Sequence, residues 1–353
     1  MTDRYASFVQ SVAGPALVKR LGLPDPPRLR RHRPGDPLTH GPVLLGSAPA
    51  GRLAGPVTTL LTAAGVELRD PVAAGAEQSA GGTPRHAALI FDATGITDST
   101  GLRATYDFLH PQARSVLPSG RVIVLGTPPE ECATPREATA QRALEGLTRS
   151  VGKEFGRGIT AQLVHVSRPQ APDEADGLDA GTLISLEATL RFLLSGRSAY
   201  VSGQVIRVGL PAGRAGGTVT AEAPADWDRP LAGQVVLVTG AARGIGAALA
   251  RVLARDGAQV VALDVPAAGD ALATVANDIG GTAVQLDLTA PDAPARLADH
   301  LADRHGHVDV VVHNAGITRD RTIARMDADR WDAVLDINPP ARNGSTTSCW
   351  SGS

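Results

Sequence analysis

The residues best suited to chemistry lie between Gly233 and Gly246, in the stretch GQVVLVTGAARGIG. An apolar run, Val235 to Val238, leads into Thr239-Gly240, crosses Ala241-Ala242-Arg243 and enters Gly244-Ile245-Gly246. A continuous apolar run is how a strand buried on both faces reads. Glycines placed directly after it let the backbone turn sharply and let a diphosphate approach closely. A helix starting there offers free N–H groups and the positive end of its dipole. The alanine-rich stretch Ala247 to Asp256 is expected to be that helix, beginning at Gly244. A second apolar run, Val260 to Leu263, ends in Asp264, twenty residues past Gly244. Strand, glycine turn, helix, strand and terminal acid together are the fingerprint of a dinucleotide site, with the acid on the ribose hydroxyls.

Asp264 would also repel a 2′-phosphate, so NAD(H) is expected ahead of NADP(H); Arg243, which could attract that phosphate, is the counterweight. A polar residue and a glycine directly after a buried strand suit backbone contact with a ribose, and Asn314-Ala315-Gly316 follows the run Val308 to Val312. His305, His307 and His313 lack a companion set of ligands, so no metal is expected.

Positioning these residues requires strands that alternate with helices. From Gly41 the chain reads that way, with strands at Val43–Leu45, Ala87–Phe91, Val122–Leu125 and Gln162–Val166, then Tyr200-Val201 with Val205–Val208. Between them fall a helix ending over Leu60–Ala64 and a longer one over 136–155, with Ala143, Leu144, Leu147, Val151 and Phe155 on its apolar face. Ahead of this, residues 1–40 hold an amphipathic helix over 5–21, with Phe8, Val12, Ala16, Leu17 and Leu21 near helical spacing. A Pro-rich arm with the basic run Arg28 to Arg33 follows, read as solvated. Residues 212–232 are rich in Ala, Gly and Pro without periodicity and read as a linker. After the fingerprint come a strand over 283–287, a helix over 294–304, the strand Val308–Val312 and a helix over 327–335. Residues 339–353 have no period.

Two α/β segments superpose in sequence. At an offset of 192, Gly41 falls on Gly233, Gly65 on Gly257, and Val43–Leu45 on Val235–Leu237. The phosphate glycines are gone from the first copy: Ala48 meets Gly240, Arg52 meets Gly244 and Ala54 meets Gly246. A Cβ at those positions blocks close approach of a diphosphate. Asp92 to Thr97, DATGIT, lies over His313 to Thr318, HNAGIT. The expected architecture is α/β, with tandem doubly wound, Rossmann-like parallel-sheet domains. The first, 41–211, is degenerate and structural; the second, 233–338, is incomplete.

The second segment resembles the classical short-chain dehydrogenase/reductases. It carries their T-G-x-x-x-G-I-G as Thr239 to Gly246, their adenine-side D-L as Asp287-Leu288 and their N-A-G as Asn314 to Gly316. A degenerate copy ahead of an intact one, behind a helix and a Pro-rich arm, resembles the high-molecular-weight 3-oxoacyl-(acyl-carrier-protein) reductases. The resemblance implies nicotinamide-dependent reduction of 3-oxoacyl thioesters, on acyl carrier protein or CoA, in fatty-acid-type metabolism; polyketide-type ketoreductases, which also pair a degenerate copy with a working one, are the enzyme rival. It also implies catalysis by an Asn, a Ser, a Tyr and a Lys, and Asn338, behind Trp331 to Ile337, matches the asparagine.

No Tyr-x-x-x-Lys occurs anywhere in the 353 residues. In the first copy Thr127 falls at the serine position, Glu137 at the tyrosine position and Gln141 at the lysine position, a set with no acid of suitable pKa. Measured on the first copy, the second is expected to lack roughly 80 to 100 residues, through a frameshift or premature stop. Little or no turnover is therefore expected, which leaves a non-catalytic dinucleotide-binding fragment as the non-enzyme rival.

Composition narrows the remaining classes. Hydrophobic residues make up 43% and charged residues 20% of the chain, an ordinary soluble balance, and a net charge of −2 gives no general attraction to nucleic acid or anionic membrane. No apolar run reaches the roughly 18 residues of a membrane span, and MTDRYASFVQ lacks a signal-peptide core. Cys132 and Cys349 are too few for a disulfide framework. A cytoplasmic protein is expected, a homo-oligomer when full length.

Overall fold

The apolar runs become the inner strands of two separate parallel sheets. The structure, a computed structural model, describes residues 9, 11, 14–23, 26–27, 29–71, 85–168, 178–209 and 222–338. The chain divides into two compact units, Met1–Ala223 and Pro224–Ser353. The cut falls inside the expected linker, whose residues 212–221 lie outside the described ones. The linker reading fails for 224–232. Leu231 packs on the core of the second unit and its N–H donates to the Asp256 carbonyl at 2.9 Å, so this stretch is folded structure.

In the first unit, helix α1 (Gly14–Leu21) precedes six strands: β1 (Val43–Ser47), β2 (Leu68–Arg69), β3 (His86–Asp92), β4 (Val116–Gly126), β5 (Thr160–Val166) and β6 (Gln204–Val208). They pair in parallel in the order β2-β1-β3-β4-β5-β6. The order reverses between β1 and β3, the point at which doubly wound sheets open a crevice. Every residue of β3 and β5 is buried. Helices α2 (Ala54–Ala63) and α5 (Ala180–Leu194) cover one face around Val57, Leu61, Leu186 and Leu190; α3 (Arg103–Gln112) and α4 (Pro135–Glu154) cover the other around Phe108, Leu144 and Val151.

Three expectations change here. Ala143 is exposed, and the buried side of α4 carries Glu137, Ala140, Gln141 and Thr148 beside Leu144 and Val151, because polar partners wait there. Tyr200 and Val201 lie outside β6, and Tyr200 is exposed, its hydroxyl accepting from Arg31 instead of packing in the sheet. On α1 the buried residue is Val18, while Leu17 and Leu21 are exposed; Phe8, Val12 and Ala16 lie outside the residues whose side chains are described.

The second unit contains β7 (Val235–Thr239), α6 (Gly244–Arg255), β8 (Gln259–Asp264), α7 (Gly269–Ile279), β9 (Thr282–Gln285), α8 (Ala293–His305), β10 (Val310–Val312) and α9 (Ala328–Ile337). Its parallel order is β10-β7-β8-β9, with the reversal between β7 and β10. β7 is the offset image of β1, residue for residue, so the 192-residue repeat in sequence is a repeat in structure. Val308 and Asp309 fall outside β10; Asp309 Oδ2 instead accepts from the Val235 N–H at 2.7 Å, tying the start of β7.

Candidate dinucleotide site

The glycine loop leaves β7 at the reversal point of the sheet, where crevices for nucleotides form. Thr239 is buried, and its hydroxyl donates to the Val312 carbonyl at 3.2 Å while accepting from the N–H groups of Asn314 and Ala315, both at 3.0 Å. The Asn314 amide donates to the carbonyls of Thr239 and Gly240 at 3.0 and 3.1 Å. The loop is thereby clamped to the end of β10.

Each glycine has a distinct reason. Gly240 has φ +67°, and a Cβ there would lie 2.9 Å from the Ala315 Cα. Gly246 sits so close to the turn that a Cβ would lie 2.1 Å from the Gly240 carbonyl oxygen. Gly244 has φ +58°, but a Cβ would meet nothing within 4 Å, so this position faces open space. Arg243, at the N-cap of α6, provides no side-chain hydrogen bond to the helix start, and Arg243, Gly244 and Ile245 are exposed. Open space, an uncapped helix start and its dipole suit a diphosphate.

Asp264 ends β8 as expected. Its carboxylate accepts from the Ala242 N–H at 2.9 Å and the Val265 N–H at 2.8 Å, so it braces the loop. Asn338 lies beside the N-A-G turn: its Oδ1 accepts from the Ile317 N–H at 2.8 Å and its Nδ2 donates to the Ile317 carbonyl at 3.0 Å. A Cβ on Gly316 would come within 3.1 Å of that Oδ1. Thr239, Gly240, Gly246, Asn314 and Ala315 therefore form one cluster with Asp264 at its edge, and Gly316 meets Asn338. Asp287-Leu288 stands apart. Asp287 accepts from the N–H and hydroxyl of Thr289 at 2.9 and 2.7 Å, bonds that hold its carboxyl below the usual range, and Leu288 packs on the core.

The first unit lacks this opening. Gln141 Oε1 accepts from the Thr127 N–H at 2.9 Å, and its Nε2 donates to the carbonyls of Ala93 and Ile96, both at 2.9 Å. Glu137 pairs with Arg168 and accepts from the Ala133 N–H. Glu137 and Gln141, and the Thr127 backbone, are thus tied into structural contacts. Among the described residues no group of three or more His, Cys, Asp or Glu could hold a metal.

Comparison with known proteins agrees with this geometry. The short chain dehydrogenase family model matches residues 234–342. A 3-oxoacyl-(acyl-carrier-protein) reductase from Synechocystis is 42% identical over 112 residues, 31% of this chain and 45% of that protein. The 3-oxoacyl-(acyl-carrier-protein) reductases FabG of Thermotoga maritima and Pseudomonas aeruginosa are 39% and 40% identical over 111 residues, with the same coverage. The chain spans less than half the length of the curated relatives it matches. Over residues 234–342, about a third of its length, the chain is similar to the short chain dehydrogenases.

Proposed function

We propose that the second unit binds a nicotinamide dinucleotide, NAD(H) ahead of NADP(H), and that its natural chemistry is that of the 3-oxoacyl thioester reductases. The observation that carries this reading is the opening at Gly244: a left-handed glycine facing empty space at an uncapped helix start. When bound, the cofactor would supply a hydride. Gly240, Arg243, Gly244, Ile245 and Gly246 would hold its diphosphate, Asp264 its ribose, and Asn314 to Gly316 the middle of the molecule. Asp287 and Leu288 would border the adenine.

NAD(H) is favoured because a carboxylate ends β8, although exposed Arg243 offers charge to a 2′-phosphate. The substrate would be a 3-oxoacyl group on acyl carrier protein or CoA, in the cytoplasm, and the full-length protein would be a homo-oligomer. No helix among the described residues is long and apolar enough to cross a membrane.

A second reading, binding without turnover, is favoured by a specific observation. The 353 residues hold no Tyr-x-x-x-Lys, and Glu137 and Gln141 of the first unit are already engaged. Asn338 alone, its amide bound to Ile317, provides no proton for a carbonyl oxygen. Calorimetry with NAD, NADH and NADPH, followed by an assay with an acetoacetyl thioester, separates the outcomes. Binding with NADH preferred and no turnover is expected. Robust turnover would overturn the second reading, and absence of binding to any of the three would overturn the first.

A further inference from the structure

The start of α2 in the first unit is the offset image of the opening at α6, and it is filled. Asp92, at the end of β3 and fully buried, turns its carboxylate into the helix start. Oδ2 accepts from the N–H groups of Leu53 and Ala54 at 2.7 and 2.9 Å; Oδ1 accepts from the N–H and hydroxyl of Thr94 at 3.0 and 2.6 Å. The Thr94 hydroxyl in turn accepts from the Arg52 N–H at 2.9 Å. The loop has closed around this group: a Cβ on Gly51 would lie 2.6 Å from Asp92 Oδ2, and one on Gly95 would lie 2.0 Å from the Pro49 carbonyl oxygen.

Sheet register identifies the counterpart in the second unit. Ser47 pairs with Asp92 across β1 and β3, and Val238 pairs with Val312 across β7 and β10, so Thr239 stands opposite His313. His313 is exposed, and α6 has no side-chain cap. One fold thus occurs twice, with the same helix start open in one copy and holding an acid in the other.

We propose that Asp92 is a built-in anion that takes, in the first unit, the place a nucleotide phosphate takes at such a helix start, so that this unit is a self-liganded fold with no nucleotide site. The physical basis is the same in both cases: backbone N–H groups and a helix dipole that favour negative charge. Arg52 completes the closure. Its guanidinium donates to the Val166 carbonyl at the end of β5, so the side chain is held against the sheet's own backbone.

Hydrogen exchange of the full chain, read by peptide, tests this. In Asp92→Ala, exchange over residues 52–57 is expected to rise about tenfold, the loss of charge-assisted bonds to that helix start. Formate, a carboxylate small enough for the vacated space, is expected to restore protection there in the variant, and chloride at equal ionic strength is not. The parent chain is expected to ignore formate and NAD over 52–57. A rise that formate leaves unreversed would reduce Asp92 to an ordinary cap and overturn the proposal, as would protection of 52–57 by NAD in the parent. Should Asp92→Ala unfold the unit, Asp92→Asn keeps the volume and loses one acceptor; it is expected to deprotect 52–57 without rescue by formate, and unchanged protection would overturn the proposal. Peptides over 240–250 report NAD binding to the second unit separately, so either idea can fail without the other.

Discussion

At the scale of single residues, the two ends of the glycine loop answer to different forces. At Gly246 the constraint is contact with the Gly240 carbonyl and the Asn314 amide; at Gly244 it is backbone conformation beside open space. Gly246→Ala should therefore destabilise the second unit by about 1–3 kcal/mol, the usual cost of overpacking, and weaken nucleotide binding through the displaced loop. Gly244→Ala should cost about 1–2 kcal/mol of left-handed strain, yet weaken nucleotide binding more, since its methyl group enters the space meant for ligand. Urea midpoints and calorimetry on both variants check the contrast; equal losses in both measurements would contradict it.

That the glycine turn, Asp264 and Asn314 fall at the ends of β7, β8 and β10 was legible in the sequence, because apolar runs mark those strand ends. The bracing of the loop by Asp264 was not, since it depends on where the Ala242 N–H points. Asp92 stood in plain view as an acid over His313 in the repeat, but only the fold brings it to the N–H groups of Leu53 and Ala54.

At the scale of elements, helices and strands are tied by polar groups that periodicity does not reveal. Arg121 of β4 is buried, and its guanidinium donates to the carbonyls of Ser119, Gly120, Leu193 and Ser195, binding the strand to the end of α5. Burial lowers its pKa to about 10, which leaves it charged at neutral pH. Ser198 also reaches the Leu193 and Ser195 carbonyls, but not the other two. Arg121→Met should destabilise the first unit by about 3 kcal/mol, measured by urea unfolding, because buried carbonyls lose their partner.

His165 of β5 is fully buried, and neither ring nitrogen has a hydrogen-bond partner. Burial holds its pKa below the ordinary 6.5, with Glu145 and Glu131 pulling upward and Arg142 downward. The neutral ring is thus favoured by folding. Stability is full above 6.5 and falls as pH drops from there through the lowered value, as the unfolded chain takes up the proton first. His165→Leu should flatten the unfolding midpoint of the first unit between neutral and mildly acidic pH; an unchanged slope would contradict this. Strands β1, β3, β5, β7 and β8 were readable as apolar runs. Helices α3, α5 and α7 were not. The apolar residues of α5 run almost all round it, and α3 carries Pro111, so helical period gave no clear signal in either.

At the scale of the whole molecule, separate cores predict separate unfolding. The three tryptophans, Trp227, Trp331 and Trp350, all fall in Pro224–Ser353. Tryptophan fluorescence should follow the second unit alone, while far-UV circular dichroism follows both, so the two denaturation curves should not coincide. NAD at a hundred times its Kd should move the fluorescence transition by about 2.7 kcal/mol and leave the remaining dichroism transition in place. Coincident curves that shift together would show one cooperative body.

The clamp on the glycine loop also carries a consequence for synthesis. Thr239 meets Asn314 and Ala315 across 75 and 76 residues of sequence. On the ribosome the loop therefore emerges long before the strand end that shapes it. Through that interval it is a glycine-rich turn without its lock, and a nucleotide in the surrounding solution has nothing formed to hold. Nucleotide bound as proposed above would stabilise the second unit only once β10 is in place, and would not guide the nascent chain toward it.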